Sequence, residues 1–415
     1  METKKFDVGI VGYWYATNYG STLTYYALSE AIKKIGYTTV LIDRPEKETD
    51  REGEDVFSRK FLKTRCNISE SVRNGELGKL SDLCDTFVVG SDQVWTKDAI
   101  RYFGYMFFLS FVDDTKNKIA YAPSFGKASF DVSEDVKAKV YYYLHRFNNI
   151  SVREDTGKQL LKKDYDIDAT HVLDPVFLLD AADYVPIAQD SRIKTSGDYI
   201  LAYILDPTED IELYLKNVSN KLKMNIKIIL DGRKGTFENN KSKFALYDKE
   251  ILSDVDVTDW VKLFLDAQYV LTDSHHGLAM AIIFNKNFIC YANYRRGYTR
   301  FTSLLTKVGL LHRMINNSSE VTDELLYDNI DYAKVKERFQ VEIDQSKNWL
   351  KKSLAMKGKP WSHEFYVLKY EINELKKSIG FVQDSFNKIQ SDMIKLAKYT
   401  DEEINNLYKE IGNNS

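Results

Sequence analysis

The sequence predicts an α/β protein: two parallel-sheet series joined by a polar linker, followed by a long coiled-coil helix. Three observations carry this reading. Short β-prone apolar runs alternate with helical segments from residue 6 to residue 179, and the alternation resumes at residue 198. Between them lies a polar stretch, 186–197, holding Pro186, Asp190-Ser191-Arg192 and Thr195-Ser196-Gly197. Beyond both, apolar residues recur in 4-3 steps. The expected domains are 1–185 and 198–350, with a coiled-coil helix over 361–399 and a polar tail over 400–415.

In order, Phe6–Gly12 reads as a strand, 21–36 as a helix and Thr38–Asp43 as a second strand, so the sheet begins parallel. The loop 13–21 is long and aromatic, and is no G-x-G-x-x-G turn. Residues 44–80 are charged and weakly patterned, consistent with short helices or a flexible insertion. Strands follow at 85–90, 118–124, 150–153 and 171–173, with helices over 133–147 and 155–164. The second series runs strand 198–205, helix 208–222, strand 226–230, a polar insertion 233–247 and helix 258–267. Strand 269–271, a helix from 278 and strand 287–291 complete it, with a helix entered near Phe301.

The organising stretch is Thr272-Asp273-Ser274-His275-His276-Gly277, between a short strand and an Ala-, Leu- and Met-rich helix. Asp273 or Ser274 can cap that helix, because a short side-chain oxygen accepts the orphan N–H groups of the first turn. Unpaired N–H groups and the helix dipole favour an anion there. The arrangement reads as a cradle for phosphate or carboxylate with two titratable rings at its lip, and Gly277 allows close approach of a ligand or another backbone.

A net charge of −3 gives no sign of a nucleic-acid-binding protein. Cys66, Cys84 and Cys290 are scattered, forming neither a metal-ligand pattern nor a disulfide framework, and read as free thiols. No run of about eighteen apolar residues exists to span a bilayer. The expected location is cytoplasmic, with peripheral contact at the inner membrane face as a variant. No metal is expected: adjacent imidazoles do not readily share one ion and no third ligand is evident. Asp254-Val255-Asp256 looks like a metal-binding pair, but Thr258 as the cap of the following helix gives a sufficient account of it.

From Trp361 through Phe365, Leu368 and Ile372 to Leu396, the tail keeps a strict 4-3 spacing. A seam this narrow needs a partner helix. Glu371 and Lys376 fall where parallel chains can pair, and self-association through 361–396 is expected, against the alternative of a helix folded on its own globular body.

Five segments occur in an order that carries a resemblance: Asn18-Tyr19-Gly20-Ser21, Gly90-Ser91-Asp92-Gln93-Val94-Trp95, Ser151-Val152-Arg153-Glu154, Asp174-Pro175-Val176-Phe177-Leu178-Leu179, and Thr272-Asp273-Ser274-His275-His276-Gly277. Over residues 6–310 the chain resembles the polysaccharide pyruvyl transferase family, in its Gly-Ser-Asp-Gln-Val-Trp branch. The resemblance implies a glycosyltransferase-B-like fold, two Rossmann-like domains facing across a cleft. It implies transfer of the enolpyruvyl unit of phosphoenolpyruvate onto two hydroxyls of a sugar, with phosphoenolpyruvate as co-substrate and no cofactor. The acceptor implied is a sugar of a bacterial surface polysaccharide or its lipid-linked precursor. His276 matches the family histidine, whereas His275 stands where the family usually has an aromatic residue.

Histidine suits the proton steps because its ordinary pKa lies near working pH, so His276 and then His275 are the catalytic candidates. Guanidinium forks suit phosphate and carboxylate. The donor side is therefore assigned to Arg153, Ser274, Gly277, Arg296 and Arg300. The acceptor side is assigned to Trp14, Tyr15, Asn18, Tyr19, Gly20, Asp92 and Gln93. Trp14 and Tyr15 read as sugar-stacking faces or packing, and Asp92 and Gln93 as ligand contacts or caps. A glycosyltransferase using a nucleotide sugar is the enzymatic alternative, and a non-catalytic coiled-coil scaffold the other.

Overall fold

A computed structural model describes residues 6–15, 18–44, 56–230, 236–244, 247, 249–358 and 363–413. The chain divides into two compact units, Met1–Pro360 and Trp361–Ser415. The first contains both sheets. Strands β1 (Phe6–Val11), β2 (Thr39–Leu41), β3 (Cys84–Val89), β4 (Asn117–Ala120), β5 (Asn149–Val152) and β6 (Thr170–His171) form one of them. Its order is β2-β1-β3-β4-β5-β6, and every pairing is parallel. Strands β7 (Tyr199–Ile204), β8 (Asn225–Leu230), β9 (Tyr269–Thr272), β10 (Asn287–Tyr291) and β11 (Met314–Ile315) form the other, also parallel, in the order β11-β10-β9-β7-β8.

The first sheet carries helices α1 (Tyr19–Ile35), α2 (Phe57–Arg65), α3 (Lys97–Phe103), α4 (Glu134–His145), α5 (Asp155–Tyr165) and α6 (Ala181–Gln189). The second carries α7 (Glu209–Leu222), α8 (Thr236–Lys241), α9 (Val257–Asp266), α10 (His275–Ile283), α11 (Tyr298–Val308) and α12 (Asp323–Tyr327). This is the glycosyltransferase-B-like arrangement of two Rossmann-like halves. Each strand order reverses once, between β1 and β3 in the first sheet and between β7 and β9 in the second. Crevices at the carboxyl ends of such strand pairs are where open α/β sheets bind ligands. The loop after β9 and the start of α1 after β1 are in contact, so the two crevices share a wall.

Local chemistry explains the framing helices. Asn18 caps α1 by accepting from Ser21 N at 3.0 Å, and Gly36 closes it in the left-handed conformation. Asp256, rather than the expected Thr258, caps α9, in a reciprocal capping box with Asp259 that engages the second acid of Asp254-Val255-Asp256. Helix α10 is apolar all round and is buried over His275–Ile282, as a helix covered on every side must be.

Two segments depart from the sequence reading. The expected linker 186–197 begins inside α6, where the Asp180–Asp183 capping box starts a helix that runs through Pro186 to Gln189. Proline there removes one intrahelical donor, and the helix ends within a turn of it. Helix α13 (Tyr332–Leu354) was not anticipated, and it fastens the two halves together. Its Ser346 Oγ accepts from Leu173 N at 3.0 Å, and Ser353 O accepts from Asn117 Nδ2 at 3.1 Å, both on the first half. Glu342 pairs with Lys307 of α11 at 2.6 Å, on the second.

The second unit is one helix, α14 (His363–Asn413), which continues through most of the expected polar tail. From Ile372 to Leu396 the seam residues are 44–66% exposed. Trp361 and the side chains of Phe365, Leu368 and Glu371 lie outside the described residues. No helix among the described residues is long and apolar enough to cross a membrane.

Candidate active site

The turn from β9 into α10 forms as its residues dictate. Ser274 is the cap of α10 and accepts from Gly277 N at 3.3 Å. Asp273, fully buried, turns back to β7 and accepts from Leu205 N at 2.7 Å and Asp206 N at 2.9 Å. It thus ties the ends of β7 and β9 together across the second crevice. Burial pushes its carboxyl up to about 6, despite those two donors. The close approach at Gly277 is made by its own strand: a Cβ there would lie 2.3 Å from Thr272 Oγ1.

The two imidazoles part company. His276 reaches the first half, where its ring lies against Gly20 of α1; a Cβ at Gly20 would stand 2.2 Å from the ring. Only glycine leaves that space. His276 Nε2 is 3.1 Å from Thr24 Oγ1 and 3.7 Å from Asp174 Oδ2, the latter an ion-pair distance rather than a hydrogen bond. His275 points elsewhere, with both ring nitrogens buried and without a hydrogen-bond partner. Burial, then the charges of Arg153 and Arg300, hold its pKa well below the usual histidine value, so the ring is neutral at physiological pH.

Asp174 is the hub of the first half. It accepts from Arg153 Nη1 at 2.7 Å, Thr24 Oγ1 at 3.3 Å, Ser91 Oγ at 3.3 Å and Val176 N at 3.2 Å. Burial alone would raise its carboxyl, but His276 and the Arg153 guanidinium outweigh burial and hold it well below the usual carboxylate range. Arg153 Nη2 lies 3.5 Å from Asp92 and makes no hydrogen bond. Asp92 itself sits at φ 82°, a left-handed conformation that a non-glycine residue holds only under constraint. Arg300, from α11, is buried with its Nε unpartnered, and burial beside Arg153 lowers it to about 10, still cationic at neutral pH. His275, Arg153, Arg300 and Asp174 line a common cavity of about 20 Å³, roughly the room of one water.

A sequence model of the polysaccharide pyruvyl transferase family matches residues 18–294, a span that includes every one of these residues except Arg300. The chain belongs to the polysaccharide pyruvyl transferase family. It is accordingly a transferase. Among solved structures, UDP-GlcNAc 2-epimerase from Methanocaldococcus jannaschii is 15% identical, with a TM-score of 0.48 over 88% of this chain and 99% of that one. A variant of the wall teichoic acid polymerase TagF is 11% identical, with a TM-score of 0.47 over 85% and 88%. A mutant of Thermobaculum terrenum O-GlcNAc transferase is 12% identical, with a TM-score of 0.43 over 89% and 68%. Comparison with curated proteins gives no match.

Within this transferase, the remaining sequence-predicted residues divide by position. Arg296 is engaged, its Nε and Nη2 donating to Asp206 at 2.7 and 3.0 Å at the rim of the second crevice. Tyr19 is a strut between halves: its hydroxyl donates to Val255 O at 2.8 Å, and its ring stacks on Phe57 and Trp260. Asn18 is a helix cap. Of the two readings of Trp14, stacking face or packing, the structure bears out packing: the residue is fully buried and donates Nε1 to Ile42 O at 2.9 Å. Tyr15 packs edge-on to Trp14 and Tyr13, its hydroxyl buried without a partner and pushed well above the usual tyrosine pKa by burial. Gln93 lies against Gly126, next to Asp92. Sequence reasoning missed Asp174 and Thr24. Asp174 opens one of the motifs quoted above, directly after a strand, and Thr24 lies one helical turn beyond Gly20.

Proposed function

We propose that this transferase moves the enolpyruvyl unit of phosphoenolpyruvate onto two hydroxyls of a sugar belonging to a bacterial surface polysaccharide or its lipid-linked precursor. One observation carries the reading. Two buried guanidinium groups, Arg153 and Arg300, each keep a nitrogen without a hydrogen bond at a cavity that an unpartnered imidazole shares, with Asp92 at ion-pair distance from that of Arg153. Buried donors of this kind are costly unless an acceptor meets them, and an anion is the acceptor they fit.

The chemistry asks four things of the site. The methylene carbon of phosphoenolpyruvate takes a proton, its π pair forming the new C–H bond and leaving an oxocarbenium-like C2. A sugar hydroxyl adds to C2 and loses its proton. Phosphate then departs with the C2–O bond pair, and the second hydroxyl adds and loses its proton to close the ketal. Of the two hydroxyl protons, one replaces that given to carbon and the other leaves on phosphate. Imidazole serves the proton steps, and Arg153 and Arg300 stabilise the leaving phosphate. A cavity of about 20 Å³ is too small for a three-carbon phosphate ester, so the two halves part to admit it. Self-association through the exposed seam of α14 completes the reading, and gives the enzyme a second copy alongside.

The test is thermal stabilisation of the purified chain by phosphoenolpyruvate, with nucleotide sugars in parallel. Ligand at one hundred times its dissociation constant stabilises by about 2.7 kcal/mol. The reading expects a shift with phosphoenolpyruvate that weakens in Arg153→Ala. A shift with nucleotide sugars alone would replace it by glycosyl transfer.

A further inference from the structure

We propose that His275, rather than His276, is the imidazole that meets the bound anion, and that it takes up a proton as the anion arrives. The inference rests on the pyruvyl-transfer reading for the identity of the donor, but its geometry stands apart from it. His276 is engaged at Nε2 and along one side of its ring. One face is closed by Gly20, and Nε2 is occupied by Thr24 beside Asp174. It does not line the cavity. Its contacts cross from the second half to the first, which makes it a positioning residue that fixes Asp174, and through Asp174 the guanidinium of Arg153.

His275 has the reverse arrangement. Its ring lines the cavity with Arg153 and Arg300, and neither nitrogen has a partner. Its T-shaped contacts with His276, centroids 5.5 Å apart, and Phe301, 6.0 Å apart, hold the plane without using a nitrogen. Adjacent residues at a helix start point about 100° apart, which lets one ring pin the halves while its neighbour faces the chemistry.

The charges around His275 explain why arrival of an anion matters. Arg153 after β5, Arg300 on α11 and His276 on α10 all disfavour a proton on it, and Asp174 after β6 favours one. Lys307 of α11 and His171 of β6 also line the cavity, but are paired with Glu342 and Asp155. A phosphate or carboxylate between the two arginines offsets the repulsion and supplies an acceptor for an imidazolium N–H. The proton gained is the one that passes to the methylene carbon of the donor. The ring returns neutral and is recharged by the proton of the incoming hydroxyl, so that step balances.

Calorimetric titration of the full-length chain, in buffers of different ionisation enthalpy, reads this directly. Phosphoenolpyruvate and inorganic phosphate are the probes, and the wild type is set against His275→Gln and His276→Gln. Near neutral pH the wild type is expected to take up about one proton per anion bound, from a ring that starts neutral. His275→Gln should bind about tenfold more weakly, as expected for loss of one charge-assisted hydrogen bond, and take up none, with its melting temperature retained. His276→Gln, where it folds, should keep the uptake; the wild type and His275→Gln decide the matter without it. Undiminished uptake in His275→Gln, or its loss only in His276→Gln, overturns the assignment. Uptake with inorganic phosphate but no binding of phosphoenolpyruvate would leave His275 as the anion ligand and sink the pyruvyl donor. No anion binding at all would overturn both.

Discussion

The cleft and the long C-terminal helix break the same rule in opposite directions. In the cleft, Asp174, Arg153, Arg300, His275 and His276 are polar groups out of water. On α14, Leu375, Ile379, Val382, Phe386 and Leu396 are apolar groups left in it. Scattered exposed leucines mean little, but buried charge and a continuous apolar stripe both need a reason. In the cleft the reason is internal in part: Asp174 collects four donors, and what remains unpaired is cationic or imidazole. On the helix the 4-3 spacing lines the stripe along one face, and the proposed self-association would cover it. One region leaves polar atoms without hydrogen bonds, and the other leaves carbon in water; the proposed anion and the proposed second copy would answer each in turn.

The largest effect should come from breaking the cleft's main pair. Arg153→Met removes the partner of a buried carboxylate and leaves Asp174 uncompensated, which costs about 3–5 kcal/mol in comparable buried pairs. Urea denaturation at neutral pH reads the loss, and the same variant should lose anion binding. A cost under about 1 kcal/mol, typical of an exposed pair, would mean that the cleft is wetter than its burial indicates.

Next is the pH response of two buried aspartates, whose shifts have opposite signs. Asp174 is depressed, so its stabilisation is fully present above the unfolded value near 4 and is lost as pH falls below it. Asp273 is raised to about 6, so its contribution is present below about 4 and is lost as pH climbs toward 6. A shift of two units corresponds to on the order of 3 kcal/mol. The wild type should therefore lose stability between pH 4 and 6.5 relative to Asp273→Asn, measured as the difference in unfolding free energy at the two pH values. Parallel curves would show Asp273 to be ionised as readily folded as unfolded.

On the helix, Ile379→Glu places a charge in the seam. It should weaken self-association by about 100-fold, since a carboxylate cannot enter the interface without neutralising or parting it. Light scattering across a dilution series checks this, and the melting temperature of the sheet-bearing unit should not move. A wild-type mass that stays monomeric at high concentration would rule out self-association through the seam.

How much of this was readable beforehand follows from range. The strand, cap and helix at 269–283 were legible because every signal is local: Tyr269-Val270-Leu271, then Ser274, then an apolar run. The 4-3 seam was legible for the same reason. Asp174 was quoted within a motif but not assigned, because its partners Thr24 and His276 lie 150 and 102 residues away and no local pattern selects it from other acids. Trp14 sits in an aromatic loop that reads either as a stacking face or as packing, and only the fold shows Ile42 accepting its N–H. Helix α13 had a readable period at Val335, Phe339, Ile343, Leu350 and Leu354, but it follows the last strand, where the alternation that organised the reading had stopped. The split between His275 and His276 depends on Gly20, which belongs to the facing half.

The smallest test separates intrinsic helix preference from packing. Gly380 lies on α14 outside the 4-3 seam, and a Cβ built there meets nothing within 4 Å. Alanine should therefore add about 1 kcal/mol to the helix by reducing the entropy that glycine loses on ordering, with no steric cost. Were the second copy to pack over this face as well as over the seam, the added methyl would instead meet its backbone and weaken association. Gly380→Ala is thus expected to raise the helix melting temperature, followed by circular dichroism of the full chain, and to leave the oligomer mass unchanged. A stabilised helix with a reduced mass would place Gly380 inside the interface and widen the seam beyond the two positions per heptad that the spacing defines.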